Sequence, residues 1–174
     1  MSVASASVVL DCEALSSWVG QDRRMMEKLA LLRESDADLV VCANTIIEAS
    51  HERTNQARLN WVLSQTRVEP VTEQAARAAS FLLKQVGLHG HKYAIDATVA
   101  EAALRQQPPV AVLTSDADDL SRLCGHQVAF LAVQRTGLCR PLIEAPTHPR
   151  GWALARLTRS TRSTPCDGSC QTRR

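Results

Sequence analysis

Aromatic residues are scarce: three Trp, two Phe and one Tyr among 174 residues. That leaves little material for the stacking platforms on which sequence-tolerant proteins hold single-stranded nucleic acid. Charge of one sign is lacking too. Twenty Lys and Arg against eighteen Asp and Glu give a formal net charge of +2, so overall electrostatics name no partner. No apolar run approaches the roughly 18 residues that span a bilayer. The opening MSVASASVVLDCEAL carries no basic start of a secretory leader, and a cytoplasmic protein without membrane association is expected. Glycine is short where a dinucleotide fold needs it, since LDCEALSSWVG after the first apolar run has a single late glycine.

Cysteine is present without a framework. Cys12, Cys42, Cys124 and Cys139 are scattered through apolar segments, where a reduced thiol behaves as a small hydrophobe. Cys166 and Cys170 form one close pair without a second pair or nearby histidines, a poor zinc site. His89 and His91 in GLHGHKYAID read as a polar loop before a helix.

What is present is an ordinary globular composition, 45% apolar, in a chain of one-domain length. Short apolar runs at 7–11, 39–42, 67–71, 110–114 and 127–133 read as buried strands. Helical stretches lie between them. DRRMMEKLALLRES sets Met25, Met26, Leu29 and Leu32 on one face, and TIIEASHERTNQARLNWVLSQ reads as a further helical stretch. TEQAARAASFLLKQVG begins at a Thr72 cap and stops at Gly87, and AIDATVAEAALRQ is an Ala-rich helix closed by Pro108 and Pro109. Strands alternating with helices predict α/β units around a mostly parallel sheet. Beyond about residue 145 the chain turns Arg-, Ser-, Thr- and Pro-rich. The expected division is a folded domain over 1–145 and a basic, flexible tail over 146–174.

The carboxylates follow the strands. Asp11 ends the first strand in VVLDCEAL, Glu48 lies about one turn into the helix after the second in TIIEAS, Asp96 opens a helix in YAIDATVAEAAL, and Asp116 and Asp119 follow a strand in VLTSDADDL. In an open parallel sheet, functional groups gather beyond the carboxyl ends of the strands. Each acid alone has a plain explanation as a helix cap or an exposed helical residue. Together they put acids from separate chain segments at one sheet edge. Asp11 and Asp96, between apolar neighbours, are expected to be partly buried, and a buried carboxylate needs a compensating partner. Few basic residues stand beside them, so a divalent cation such as Mg²⁺ or Mn²⁺ is the natural compensator. Asp116 and Asp119 share a helical face; Asp118 points elsewhere and is expected to be solvated.

The pattern VVLDCEAL, TIIEAS, YAIDATVAEAAL and VLTSDADDL, in that order over about residues 7–133, resembles the PIN-domain ribonucleases, and in particular the VapC-like toxins of type II toxin–antitoxin pairs. The resemblance implies a three-layer α/β/α sandwich with a mainly parallel central sheet and a metal-dependent endoribonuclease. Carried over residue by residue, it makes Asp11, Glu48, Asp96 and Asp116 the catalytic acids. Asp11, Asp96, Asp116 and Asp119 are the metal-holding set, with Thr114 or Ser115 as polar contacts. It further implies Mg²⁺ or Mn²⁺ as cofactor, RNA as substrate, a homodimer, and a small antitoxin that presents an Arg to the carboxylates. Cys12 and Glu13 depart from the small residues usual in the family after the first Asp.

Three other classes compete. A haloacid-dehalogenase-like phosphatase wants a second Asp two residues after the strand-end Asp, where this chain has Glu13, and a downstream lysine, for which only Lys84 and Lys92 offer themselves. A PIN-like nuclease of RNA maturation shares the site but not the antitoxin. A non-catalytic binding module on the same fold has no use for a carboxylate-lined surface.

Overall fold

A computed structural model describes residues 5–133. The expected tail, and Cys139, Cys166 and Cys170 with it, lies outside the described residues. Within them, each apolar run forms a strand: β1 (Ser7–Leu10), β2 (Asp38–Cys42), β3 (Arg67–Glu69), β4 (Val110–Thr114) and β5 (Ala129–Ala132). The runs at 67–71 and 127–133 are trimmed at their ends. All pairings are parallel, in the order β3-β2-β1-β4-β5. The central strands are buried throughout, as a sheet covered on both faces requires.

Alternation along the strands builds the layers. Val9, Val40 and Val112 face a core shared with α5 (Glu73–Val86), α6 (Gly90–Leu104) and α7 (Ala117–Cys124). Val8, Leu10, Leu39, Val41, Ala111 and Leu113 face the opposite core with α1 (Cys12–Val19), α2 (Arg23–Glu34) and α4 (Gln56–Leu63). The sandwich is therefore α/β/α, as expected. Helix α2 buries Met25, Leu29 and Leu32 behind an Asp22 cap, and α5 runs from its Thr72 cap to Gly87, whose φ of 68° is the left-handed conformation that ends helices. Cys42 and Cys124 are buried free thiols.

Two helix readings are corrected. The stretch over 45–65 is two helices, α3 (Ala43–Ala49) and α4, rather than one. Thr54 Oγ1 donates to the Ala49 carbonyl at 3.1 Å and accepts from His51 N at 3.0 Å, while Asn55 caps the next helix through Arg58 N at 3.0 Å. These side chain–backbone bonds replace the helical ladder. Ile47, on α3, is 72% exposed. Helix α6 starts at Gly90, which puts His91 in its first turn rather than in a loop, while the expected helix from Ala94, with Asp96 in its first turn, is the part of α6 that follows a kink. Tyr93, with φ −110° and ψ 19°, kinks that first turn. Among the described residues no helix is long and apolar enough to cross a membrane.

Candidate active site

The strand order turns the chain back across β1, so β1 and β4 lie side by side at the centre while their connections run to opposite sides. Their carboxyl ends form the crevice where open α/β sheets hold ligands. Asp11 stands immediately after β1, and Thr114, Ser115 and Asp116 end β4 and lead into α7.

Asp11 does cap α1, accepting Ala14 N–H at Oδ1 over 2.7 Å. The Thr114 side chain and the Ser115 backbone N–H also hydrogen-bond to it. Thr114 is buried, and its Oγ1 accepts Asp116 N–H at 3.0 Å, which leaves its hydroxyl proton for Asp11. Ser115 thus takes part through its main chain, while its side chain is exposed. Despite these bonds, burial pushes the Asp11 carboxyl up to about 6, and the charge of Glu13 adds to the rise. Burial likewise raises the thiol of Cys12, next in the chain, to about 11, helped by the charges of Glu48 and Asp11.

Asp116 occupies the cap position of α7 but makes no side-chain capping bond, and it is exposed. Capping therefore does not account for this carboxylate. Asp118 is exposed, as expected, and Asp119 is half-buried with Arg122 at 3.7 Å.

Asp96 lies half-buried in α6. Its carboxyl is raised first by burial and then by the charges of Glu48, Asp116 and Asp119, with Lys92 acting in the opposite direction. Three of the other four acids singled out from the sequence, from α3 and the start of α7, thus act on Asp96. Glu48 is exposed on α3. The charge of Glu13 acts on Asp11, and Glu48 and Asp11 both act on Cys12 between the end of β1 and α1. Among the described residues no basic side chain lies within 4.0 Å of Asp11, Glu48, Asp96 or Asp116.

Among the described residues no three His, Cys, Asp or Glu side chains converge tightly enough to hold a metal ion between them. That is compatible with Mg²⁺, which keeps several waters and commonly takes one or two carboxylates together with substrate phosphate. It does not suit a soft, fully ligated ion such as structural zinc. The donor set is all hard oxygen, and its charge is offset only in part, by Arg122 at Asp119 and by Lys92 acting on Asp96, so it fits a hydrated hard cation.

Two contributors escaped the sequence reading. Asn44 Nδ2 reaches Thr98 Oγ1 at 3.4 Å, and Thr98 Oγ1 donates to the Ile95 carbonyl at 2.8 Å. This tie joins the start of α3 to α6 next to Asp96, fixing Glu48's helix against it. Lys92, considered from sequence only as a phosphatase lysine, proves to act on the acids. A lone Asn after a strand and a Lys before an acidic helix carry no signal of their own.

No protein-family model and no curated protein sequence matches the chain. Among solved structures, a chain of VapBC2 from Rickettsia felis, bound to a DNA fragment from their promoter, superimposes with a TM-score of 0.54 at 13% identity. The match covers 74% of this chain and 99% of that one. At that identity the likeness concerns the fold: a five-stranded parallel sheet between helices, consistent with a PIN-like architecture.

Proposed function

We propose that the chain is a PIN-type endoribonuclease dependent on Mg²⁺ or Mn²⁺, acting as the toxin of a type II toxin–antitoxin pair. The observation that carries this reading is Asp96: a half-buried carboxylate inside a helix, flanked electrostatically by Glu48, Asp116 and Asp119, with no basic side chain of the described residues within 4.0 Å. Leaving such a group uncompensated costs stability, and an external divalent cation relieves it. A bound Mg²⁺ or Mn²⁺ supplies a nucleophile at neutral pH and neutralises charge on the scissile phosphate.

The chain's own residues then divide the work. Asp96 and Asp116, from α6 and the β4–α7 junction, hold the cation, with Asp119 beside them and Asp11 at the end of β1. Glu48, exposed on α3, takes up the proton released at the attacking oxygen. Thr114 orders the junction by holding Asp11 and the Asp116 main chain at once. The likeness in fold to a chain of VapBC2 supports a protein partner of the antitoxin kind. An antitoxin Arg would suit this edge, since a guanidinium can stand in for a cation among carboxylates. A homodimer belongs to the same proposal.

Metal removal tests the chemistry. Purified protein with Mn²⁺ or Mg²⁺ is expected to cut a panel of structured and single-stranded RNAs, leaving 5′-phosphate and 3′-hydroxyl ends. EDTA should stop cutting, and excess Mn²⁺ should restore it. Cutting that survives chelation, or that leaves 2′,3′-cyclic phosphates, would mean attack by the ribose 2′-hydroxyl and would reject the proposal.

A further inference from the structure

Lys92 is an odd occupant of this edge. Its ammonium feels Asp119 and Asp116, and in turn acts on Asp96. Yet among the described residues no carboxylate oxygen lies within 4.0 Å of it. It is instead bonded to Tyr93 Oη at 2.9 Å and sits 4.5 Å from the centre of the same ring. Tyr93 is partly buried and packs on the core shared by α5, α6 and α7, while its hydroxyl meets Lys92 in solvent. The kink at Tyr93 interrupts the regular helix between Lys92 and Asp96, so the two are not stacked as a simple i, i+4 pair.

The consequence is a cation held at the rim of an acidic site rather than inside it. A solvated lysine that merely answered a negative field would settle on the nearest carboxylate. This one leaves the carboxylates open and keeps two of its three N–H donors unspent. The approaching ligand in the proposed reaction is a polyanion, and an edge lined by Glu48, Asp96, Asp116 and Asp119 repels it. Arg122, the other nearby cation, is engaged with Asp119. An ammonium suits a phosphate as a point charge and requires no fixed bidentate geometry.

We infer that Lys92, braced by Tyr93 at the kink of α6, is the substrate-side residue of the site and takes a backbone phosphate of single-stranded RNA next to the one that is cut. The inference rests on the nuclease reading for its substrate, but its test does not depend on cleavage.

The probe is a set of fluorescein-labelled single-stranded RNA oligonucleotides of differing sequence. Binding is followed by anisotropy in Mn²⁺ on the full chain carrying Asp11→Asn, a change that removes a proposed metal-holding carboxylate without touching Lys92. Adding Lys92→Met should weaken binding by about threefold to tenfold for every sequence alike, as loss of a phosphate contact does. The slope of log Kd against log salt should become shallower by about 0.7, one counterion for a single strand. Lys92→Arg should restore both, and Tyr93→Phe, which keeps the ring packing, should weaken binding by less than Lys92→Met. In the otherwise unchanged chain, Lys92→Met should raise KM for cleavage with little effect on kcat and should not raise the Mn²⁺ concentration required. Unchanged affinity and salt slope would overturn the inference. A loss that Lys92→Arg cannot restore, accompanied by a raised Mn²⁺ requirement, would also overturn it, making Lys92 an internal counter-ion of the carboxylates. Lys92-dependent binding by a chain that never cuts RNA would sink the nuclease reading alone.

Discussion

Asp96→Asn should lower metal-dependent RNA cleavage by about a thousandfold or more while leaving the fold as stable as before or more so. The first effect follows from losing a carboxylate proposed to hold the cation, when metal stabilisation of the transition state is worth several kcal/mol. The second follows from what raises the Asp96 carboxyl: burial first, then the charges of Glu48, Asp116 and Asp119. Asparagine keeps the shape and removes the charge, so the repulsion disappears from the folded state. Helix propensity is nearly indifferent to the exchange. Cleavage assays beside thermal melts in EDTA check both halves. A variant that cuts RNA at the wild-type rate would remove Asp96 from the site. A variant that loses activity and melts well below wild type would make the residue structural instead.

Asp11→Asn has the second-largest expected effect, on stability and its pH dependence. The folded-state carboxyl titrates near 6 against an ordinary value of 3.8, because it is buried. A carboxyl raised in this way binds its proton more tightly in the folded than in the unfolded chain. Stability in the absence of metal therefore falls as pH rises from about 4 to about 6, and the penalty is fully present above that window. Two pH units correspond to about 3 kcal/mol. The hydrogen bonds from Ala14 N–H, Thr114 and Ser115 already enter that value, since each lowers it. The net expectation at pH 8 in EDTA is a gain of about 3 kcal/mol, or about 6–12 °C in Tm for a chain of this size. At pH 4 the gain should vanish, since wild-type Asp11 is then protonated in the fold as well. Urea denaturation at both pH values decides the matter. Equal stabilities at pH 8 would show that hydrogen bonding at Asp11 already balances its burial.

Both substitutions express one trade. In the proposed reading, charge gathered at a strand edge weakens the metal-free protein and equips it to bind a cation, the familiar opposition of stability and function at an active site. The hydrophobic framework carries that load: Val8, Val9, Leu10, Val112 and Leu113 are fully buried in the strands that place Asp11 and Asp116.

Those strands were legible in the sequence because a parallel sheet covered on both faces writes its strands as continuous apolar runs. The cap at Thr72 and the stop at Gly87 were legible because their chemistry is local. The break between α3 and α4 was not. It depends on Thr54 and His51 bonding to particular main-chain groups, and the apolar residues on either side continue to suggest a helix. The start of α6 was missed by four residues, since His89 makes no side-chain capping bond and Gly90 is a weak helix former. For the site, sequence order identified acids following strands, and the fold does set Asp11 and Asp116 at the ends of neighbouring strands. It could not tell which acids act on one another. The grouping of Glu48 with Asp96 depends on how α3 packs beside α6 through Asn44 and Thr98.

The central claim is that the carboxylate edge binds a divalent cation, and titration of the metal-free full chain with Mn²⁺, with the free ion read by electron paramagnetic resonance, tests it most directly. Saturable binding that Mg²⁺ displaces and that Asp96→Asn and Asp116→Asn each remove is the result expected. Wild-type protein that leaves the free Mn²⁺ signal unchanged, or variants that bind as well as wild type, would contradict the account and return these acids to the service of helix ends and solvent.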